Sequence, residues 1–173
     1  AAEGVELVVS TEHNYISDLE PYVYRNNLQT WLKSVIGLEL TTFEAGHFNS
    51  FPIRRTLDEM NRGSFAWQDI PPGQIFTELR GMAPEGQDNI IQVNHPRTPI
   101  LGYFDQHNVN PFDATVDLAI NEAGGGFSTA TLASPNGPAF IRPTADGEDY
   151  ESTFSWEFDA IEIFNGPHLE ELR

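Results

Sequence analysis

The feature that most constrains this chain is a set of short apolar runs, each too short for a helix, separated by segments with helical spacing. Val5-Glu6-Leu7-Val8-Val9 is rich in β-branched residues and reads as a buried strand ending at Ser10-Thr11-Glu12-His13. Leu28, Trp31, Leu32 and Val35 recur at helical spacing, which predicts a helix over 19–34 that Gly37 ends. Leu38-Glu39-Leu40-Thr41-Thr42-Phe43 predicts a second strand running into Gly46-His47-Phe48-Asn49. Pro71-Pro72 opens another helical pattern with Ile75, Leu79 and Met82 on one face. Ile90-Ile91-Gln92-Val93 and Ala160-Ile161-Glu162-Ile163-Phe164 complete the strands, and 113–123 reads as a weaker helix ended by Gly124-Gly125-Gly126. Strand, helix, strand, helix, strand is the alternation of a parallel α/β sheet or barrel.

Composition narrows the partners. A net charge of −17 repels a phosphate backbone, so nucleic acid is not expected. No apolar run approaches the roughly 18 residues of a membrane helix, and 39% hydrophobic residues argue against disorder, so residues 1–173 read as one soluble globular domain. The absence of cysteine removes disulfides and thiolate chemistry, leaves the cytoplasm and the periplasm both open, and restricts any metal to His and carboxylate ligands.

No phosphate loop, dinucleotide fingerprint, nucleophile elbow or His-Glu-x-x-His pair is present. The remaining signal is positional. In parallel α/β folds functional groups gather at strand ends, and here His13, His47 and His95 follow strands while Glu39 sits inside one. A lone strand-end His is more often a hydrogen-bonded loop residue than a ligand; three together raise the case for a metal. An unpaired Glu39 pointing inward between Leu38 and Leu40 would be costly, so it is either on the solvent face or held by a cation, and Glu12 is a further candidate that can act by orienting His13. Arg97, after His95-Pro96, reads equally as a clamp for an anionic substrate oxygen or as a partner of the surface acids. His107 and His168 read as exposed loop residues.

Thr11-Glu12-His13-Asn14, Gly37-Leu38-Glu39, Gly46-His47-Phe48-Asn49, Asn94-His95-Pro96-Arg97 and Glu162-Ile163-Phe164-Asn165-Gly166 together resemble the PHP (polymerase and histidinol phosphatase) domain, nearest its CehA/McbA-type metallohydrolases. The resemblance implies a distorted (β/α)7 barrel with a site of two or three zinc, manganese or iron ions. It implies that Glu39 bridges two metals, that His47 and His95 bind one of them and that His13 binds a further one. It also implies hydrolysis of a small-molecule phosphate ester, carboxylic or carbamic ester or amide by a metal-activated hydroxide; in such a hydrolase the catalytic roles fall, on the residues read above, to Arg97, as anion clamp, and to Glu12. The family's opening His-x-His pair and closing Asp-x-His pair are missing, so an internal fragment is expected, incomplete at both ends, that binds about one cation and turns over little. Two other readings remain: an inert metal-binding or interaction domain, and a two-His, one-carboxylate oxygenase, whose usual spacing is shorter than 39 to 95.

Overall fold

A computed structural model describes residues 4–43, 45–98, 101–116, 141–143 and 150–163. Strand β1 (Leu7–Ser10) pairs in parallel with β2 (Lys33–Ile36). Between them lies α1 (Glu20–Arg25), a single short helix whose first backbone N–H donates to Asp18 Oδ1 at 2.9 Å. The helix predicted over 19–34 therefore stops after six residues. Asn26 caps it and Asn27 takes a left-handed conformation at φ 56°, a conformation Asn tolerates through its short polar side chain. Beyond one turn at Leu28–Leu32, the β-branched Val35 and Ile36 continue as strand, tied to β1 by the bond from Lys33 N–H to the Glu6 carbonyl at 2.8 Å.

The main sheet is built from β3 (Leu38–Thr41), β4 (His47–Phe51), β5 (Ile90–Asn94) and β8 (Ala160–Ile161), in that spatial order. The β3–β4 and β4–β5 pairs are antiparallel and only β5–β8 is parallel. This overturns the expected (β/α)7 barrel, in which every strand would run parallel and be followed by a helix. The departure begins at residues 42–46, read above as the tail of one strand. Thr42 Oγ1 bonds the Gly46 carbonyl and accepts from Ala45 N–H, closing a hairpin that turns His47–Phe51 back along β3. Gly46 is needed there: its φ is +95°, and a Cβ would stand 2.8 Å from Tyr103 Cβ.

Helix α2 (Pro72–Gly81) presents Ile75, Phe76 and Leu79 to the face of the sheet carrying Leu38, Leu40, Phe48, Ile91 and Val93. Its last turn is fastened by Asn89, whose amide donates to the Leu79 carbonyl and to Ser50 Oγ, and by the Arg80–Asp159 ion pair at 2.7 Å. A further short helix, α3 (Tyr103–Gln106), brings Tyr103 into an aromatic cluster. Its ring stacks on Phe154 at 4.7 Å and meets Phe48 edge to face, and its hydroxyl both donates to and accepts from the Ser155 backbone at 2.8 Å. Strands β6 (Ile141–Pro143) and β7 (Tyr150–Ser152) form a separate antiparallel pair.

The helix expected over 113–123 is absent in its described part. Asp113 Oδ1 accepts from Thr115 N–H and Oγ1 in a local turn, and Val116 bridges Val109; residues 117–123 lie outside the described set. The strand expected over 160–164 is described for Ala160–Ile161. Among the described residues no helix is long and apolar enough to cross a membrane.

Candidate metal centre

The alternation Leu38-Glu39-Leu40-Thr41 sends the leucines into the core and Glu39 and Thr41 to the opposite face. Register then chooses the company of Glu39. Glu39 lies opposite Asn49, Thr41 opposite His47, and His47 opposite Asn94, so the far face of the sheet gathers polar groups from three strands. His47 opens β4 rather than closing a parallel strand. It reaches the same edge as the end of β3 because the hairpin reverses the chain. His95 follows β5 directly, with φ 29°, and its backbone N–H donates to Glu162 Oε2 at 2.7 Å.

Glu39, His47 and His95 each aim one ligand atom into a common point, all within 4.8 Å of one another. His47 Nδ1 lies 3.4 Å from Glu39 Oε1 and 3.1 Å from His95 Nε2. A tetrahedral ion with bonds of about 2.0–2.1 Å separates its ligands by roughly 3.3–3.4 Å, so these spacings suit a cation. Two imidazole nitrogens facing at 3.1 Å repel through their lone pairs unless a proton or a cation lies between them. The opposite ring nitrogens, His47 Nε2 and His95 Nδ1, are buried and have no hydrogen-bond partner among the described residues, and each would carry the N–H if the cluster-side nitrogen held a cation.

Burial pushes the Glu39 carboxyl up. The hydrogen bonds from His47 and Asn94 and the nearby charges of His13 and His47 outweigh it, leaving the carboxyl below its ordinary range and ionised at neutral pH. Asn94 is aimed by Gln92, whose Nε2 donates to Asn94 Oδ1 at 3.0 Å and leaves the Asn94 amide N–H for the carboxylate. Asn94 and Glu162 were not among the sequence candidates. Their signal was adjacency to His95 for one and the Glu-x-x-Asn-Gly segment for the other, and neither indicates a direction for the side chain.

The remaining candidates lie at different distances from this point. His13 forms a parallel bridge with Glu39, is 68% exposed, and sits 3.9 Å from Glu39 Oε1 with its Nδ1 2.5 Å from Thr41 Oγ1. The segment is locked by Asn14, whose side chain pairs with the Thr41 backbone N–H and carbonyl as a peptide group would. Glu12 accepts from Ser17 Oγ at 2.5 Å. Arg97 donates to the Val109 carbonyl at 3.0 Å and lies over the Phe104 ring, so its guanidinium braces the loop after β5. His107, expected to be exposed, is buried between Tyr103 and Phe154, and desolvation pushes its pKa down to about 3. His168 lies outside the described residues.

Compared with protein-family models, curated proteins and solved structures, the chain matches none.

Proposed function

We propose that Glu39, His47 and His95 hold one divalent cation, zinc, manganese or iron, and that this centre serves hydrolysis of a phosphate ester, a carboxylic or carbamic ester, or an amide. The observation that carries the reading is the convergence of one carboxylate oxygen and two imidazole nitrogens within 4.8 Å. Two His and one carboxylate is the ligand composition of hydrolytic zinc sites that keep a position for water. When bound, such an ion supplies a Lewis acid and lowers the pKa of water. The motif resemblance to PHP metallohydrolases supports the same chemistry; the barrel is not part of the proposal.

The chain's own residues prepare the site. The Asn94 hydrogen bond favours the ionised form of Glu39, which so offers a full charge to a cation, and the ion would take the place of the proton between His47 Nδ1 and Glu39. Glu162 fixes the backbone of His95, and Asn14 fixes the segment that holds His13 beside Glu39. His13, exposed at the rim, is the group best placed to meet substrate or to exchange protons with solvent.

Metal-stripped chain titrated with zinc or manganese should bind about one equivalent. At a hundredfold excess over Kd the bound ion adds about 2.7 kcal/mol of stability, a rise in Tm of roughly 5–10 °C. His95→Ala and Glu39→Gln should abolish that rise. Chelator-sensitive turnover of p-nitrophenyl phosphate or an aryl ester would complete the reading. Stoichiometric metal without turnover would favour an inert metal-binding domain, and no stoichiometric binding would overturn the centre itself.

A further inference from the structure

Away from the metal cluster, where residues 36 and 53 flank the opposite end of the β3–β4 ladder, lies a cavity of about 770 Å3. That is within the roughly 300–1,000 Å3 of small-molecule sites. Ile36, Ile53, Met82 and Pro84 give it apolar walls, and Arg54 and Arg55 line it as well.

The loop over 53–63 that forms one side is prebuilt. Ile53 N–H bonds the Ile36 carbonyl, Arg54 N–H bonds the Met82 carbonyl, Thr56 N–H bonds the Arg62 carbonyl, and the Asn61 carbonyl accepts from Ile16 N–H. Asn61, Arg62 and Gly63 take positive φ in succession, an unusual run held in place by these bonds and by Arg62, which donates to the Leu57 carbonyl and to the Tyr15 hydroxyl.

Charge sorts the ligand. The chain has nine Lys and Arg against 26 Asp and Glu, yet Arg54, Arg55 and Arg62 all fall in this loop. Arg54 is committed, donating from Nη2 to the Gly81 carbonyl at 2.6 Å. Arg55 reaches the Tyr15 hydroxyl but forms no ion pair among the described residues, and its Nε is buried without a hydrogen-bond partner. Of the two acids in the lining, Asp18 is engaged by the Glu20 backbone N–H and Glu59 is exposed at the rim. A guanidinium beside apolar walls matches a planar anion bearing an apolar group. The two acids and the net charge of −17 weigh more heavily against a phosphate dianion than against a carboxylate monoanion.

We infer that this cavity is a second binding site, separate from the metal cluster, for a small carboxylate with an apolar substituent, in which Arg55 holds the carboxylate and Ile36, Ile53 and Met82 receive the apolar part. The site does not depend on the metal reading.

Phenylacetate titrated into the isotopically labelled chain tests it, followed by backbone amide shifts. Saturable shifts confined to the amides of the lining, 18, 36, 53–63 and 82–83, are expected. Arg55→Gln should weaken binding about tenfold or more, and phenylacetamide, the same shape without the charge, should bind at least about tenfold more weakly to the unaltered chain. The phenylacetamide arm needs no variant, so it stands even if Arg55→Gln fails to fold. His95→Ala should leave phenylacetate affinity unchanged. No saturation by about 10 mM, equal affinity for phenylacetamide, or insensitivity to Arg55→Gln would overturn the site. Loss of binding in His95→Ala would reassign the carboxylate to the metal cluster. Inorganic phosphate binding as tightly as phenylacetate at the same amides would overturn the choice of carboxylate.

Discussion

Replacing Gly37 by alanine should destabilise the protein by an amount that the local geometry bounds. Gly37 is where the chain leaves β2 and enters β3, joining the two-stranded sheet to the four-stranded one. Its backbone does not require glycine, so the effect on the folded state is steric. A Cβ there would stand 2.8 Å from the Ser10 carbonyl oxygen, 2.8 Å from Val9 Cγ1 and 3.2 Å from the Ser50 carbonyl oxygen. Comfortable carbon contacts are about 3.5–4.0 Å, and the two oxygens belong to strands β1 and β4, so relief from one contact is limited by the other. Overpacking of this kind costs about 1–3 kcal/mol, while losing a glycine from the unfolded chain returns about 0.4–1 kcal/mol. Because two backbone oxygens close in on the same methyl, the cost belongs to the upper half of that range, and the net loss is roughly 1–2.6 kcal/mol, or about 2–10 °C in Tm for a chain of this size. Gly81→Ala is the matched control: it ends α2, nothing lies within 4 Å of the added methyl, and the same substitution should be neutral or stabilising by up to about 1 kcal/mol. Thermal unfolding by circular dichroism, with urea denaturation to confirm an unchanged m-value, reads both. If Gly37→Ala melts at or above the parent temperature, the close apposition of β1 and β4 around residue 37 is wrong. The positioning of Glu39 two residues later would then need another explanation.

The other predictions concern the core, the support of His95 and the response to acid. Phe48 is fully buried, edge to face with Phe76 and Tyr103, so Phe48→Ala should cost about 3–5 kcal/mol by urea unfolding; a loss under 1 kcal/mol would contradict its central place. Glu162→Ala removes the acceptor for the His95 backbone N–H and should weaken zinc affinity about 10- to 100-fold while leaving stoichiometry at one, measured by competition with a chromophoric chelator. His107 is held near pKa 3 by burial, against about 6.5 when unfolded, so the unfolded chain binds the extra proton first. Its contribution is complete above pH 6.5 and is lost as pH falls, reaching about 2 kcal/mol by pH 5. His107→Phe, placed between the same two rings, should flatten stability between pH 6.5 and 5; an unchanged pH profile would locate the acid sensitivity elsewhere.

Some of this molecule was legible residue by residue. Local patterns suffice for α2, where Pro72 starts the helix and Ile75 and Leu79 share a face, and for β3 and β5, whose apolar residues alternate with Glu39 and Gln92. Glu39, His47 and His95 were legible as candidate ligands because carboxylate and imidazole can bind a metal wherever they stand, and the structure brings the three together. The spacing of Leu28, Trp31, Leu32 and Val35 misled because an apolar period describes which face is buried, not which backbone conformation buries it. Asn26 and Asn27 end the helix, and pairing with β1 recruits 33–36 as strand. Strand direction was beyond the local pattern altogether. An apolar strand has the same alternation whether its neighbour runs parallel or antiparallel, and the choice rested on the five-residue turn at 42–46 and on Gly46 fitting against Tyr103, a residue nearly sixty positions away. The parts played by Asn94 and Glu162 were decided in the same way. A hydrogen bond from His95 N–H to a carboxylate 67 residues on exists only once β8 lies beside β5, because the free energy that selects it comes from the packed sheet and not from either segment alone.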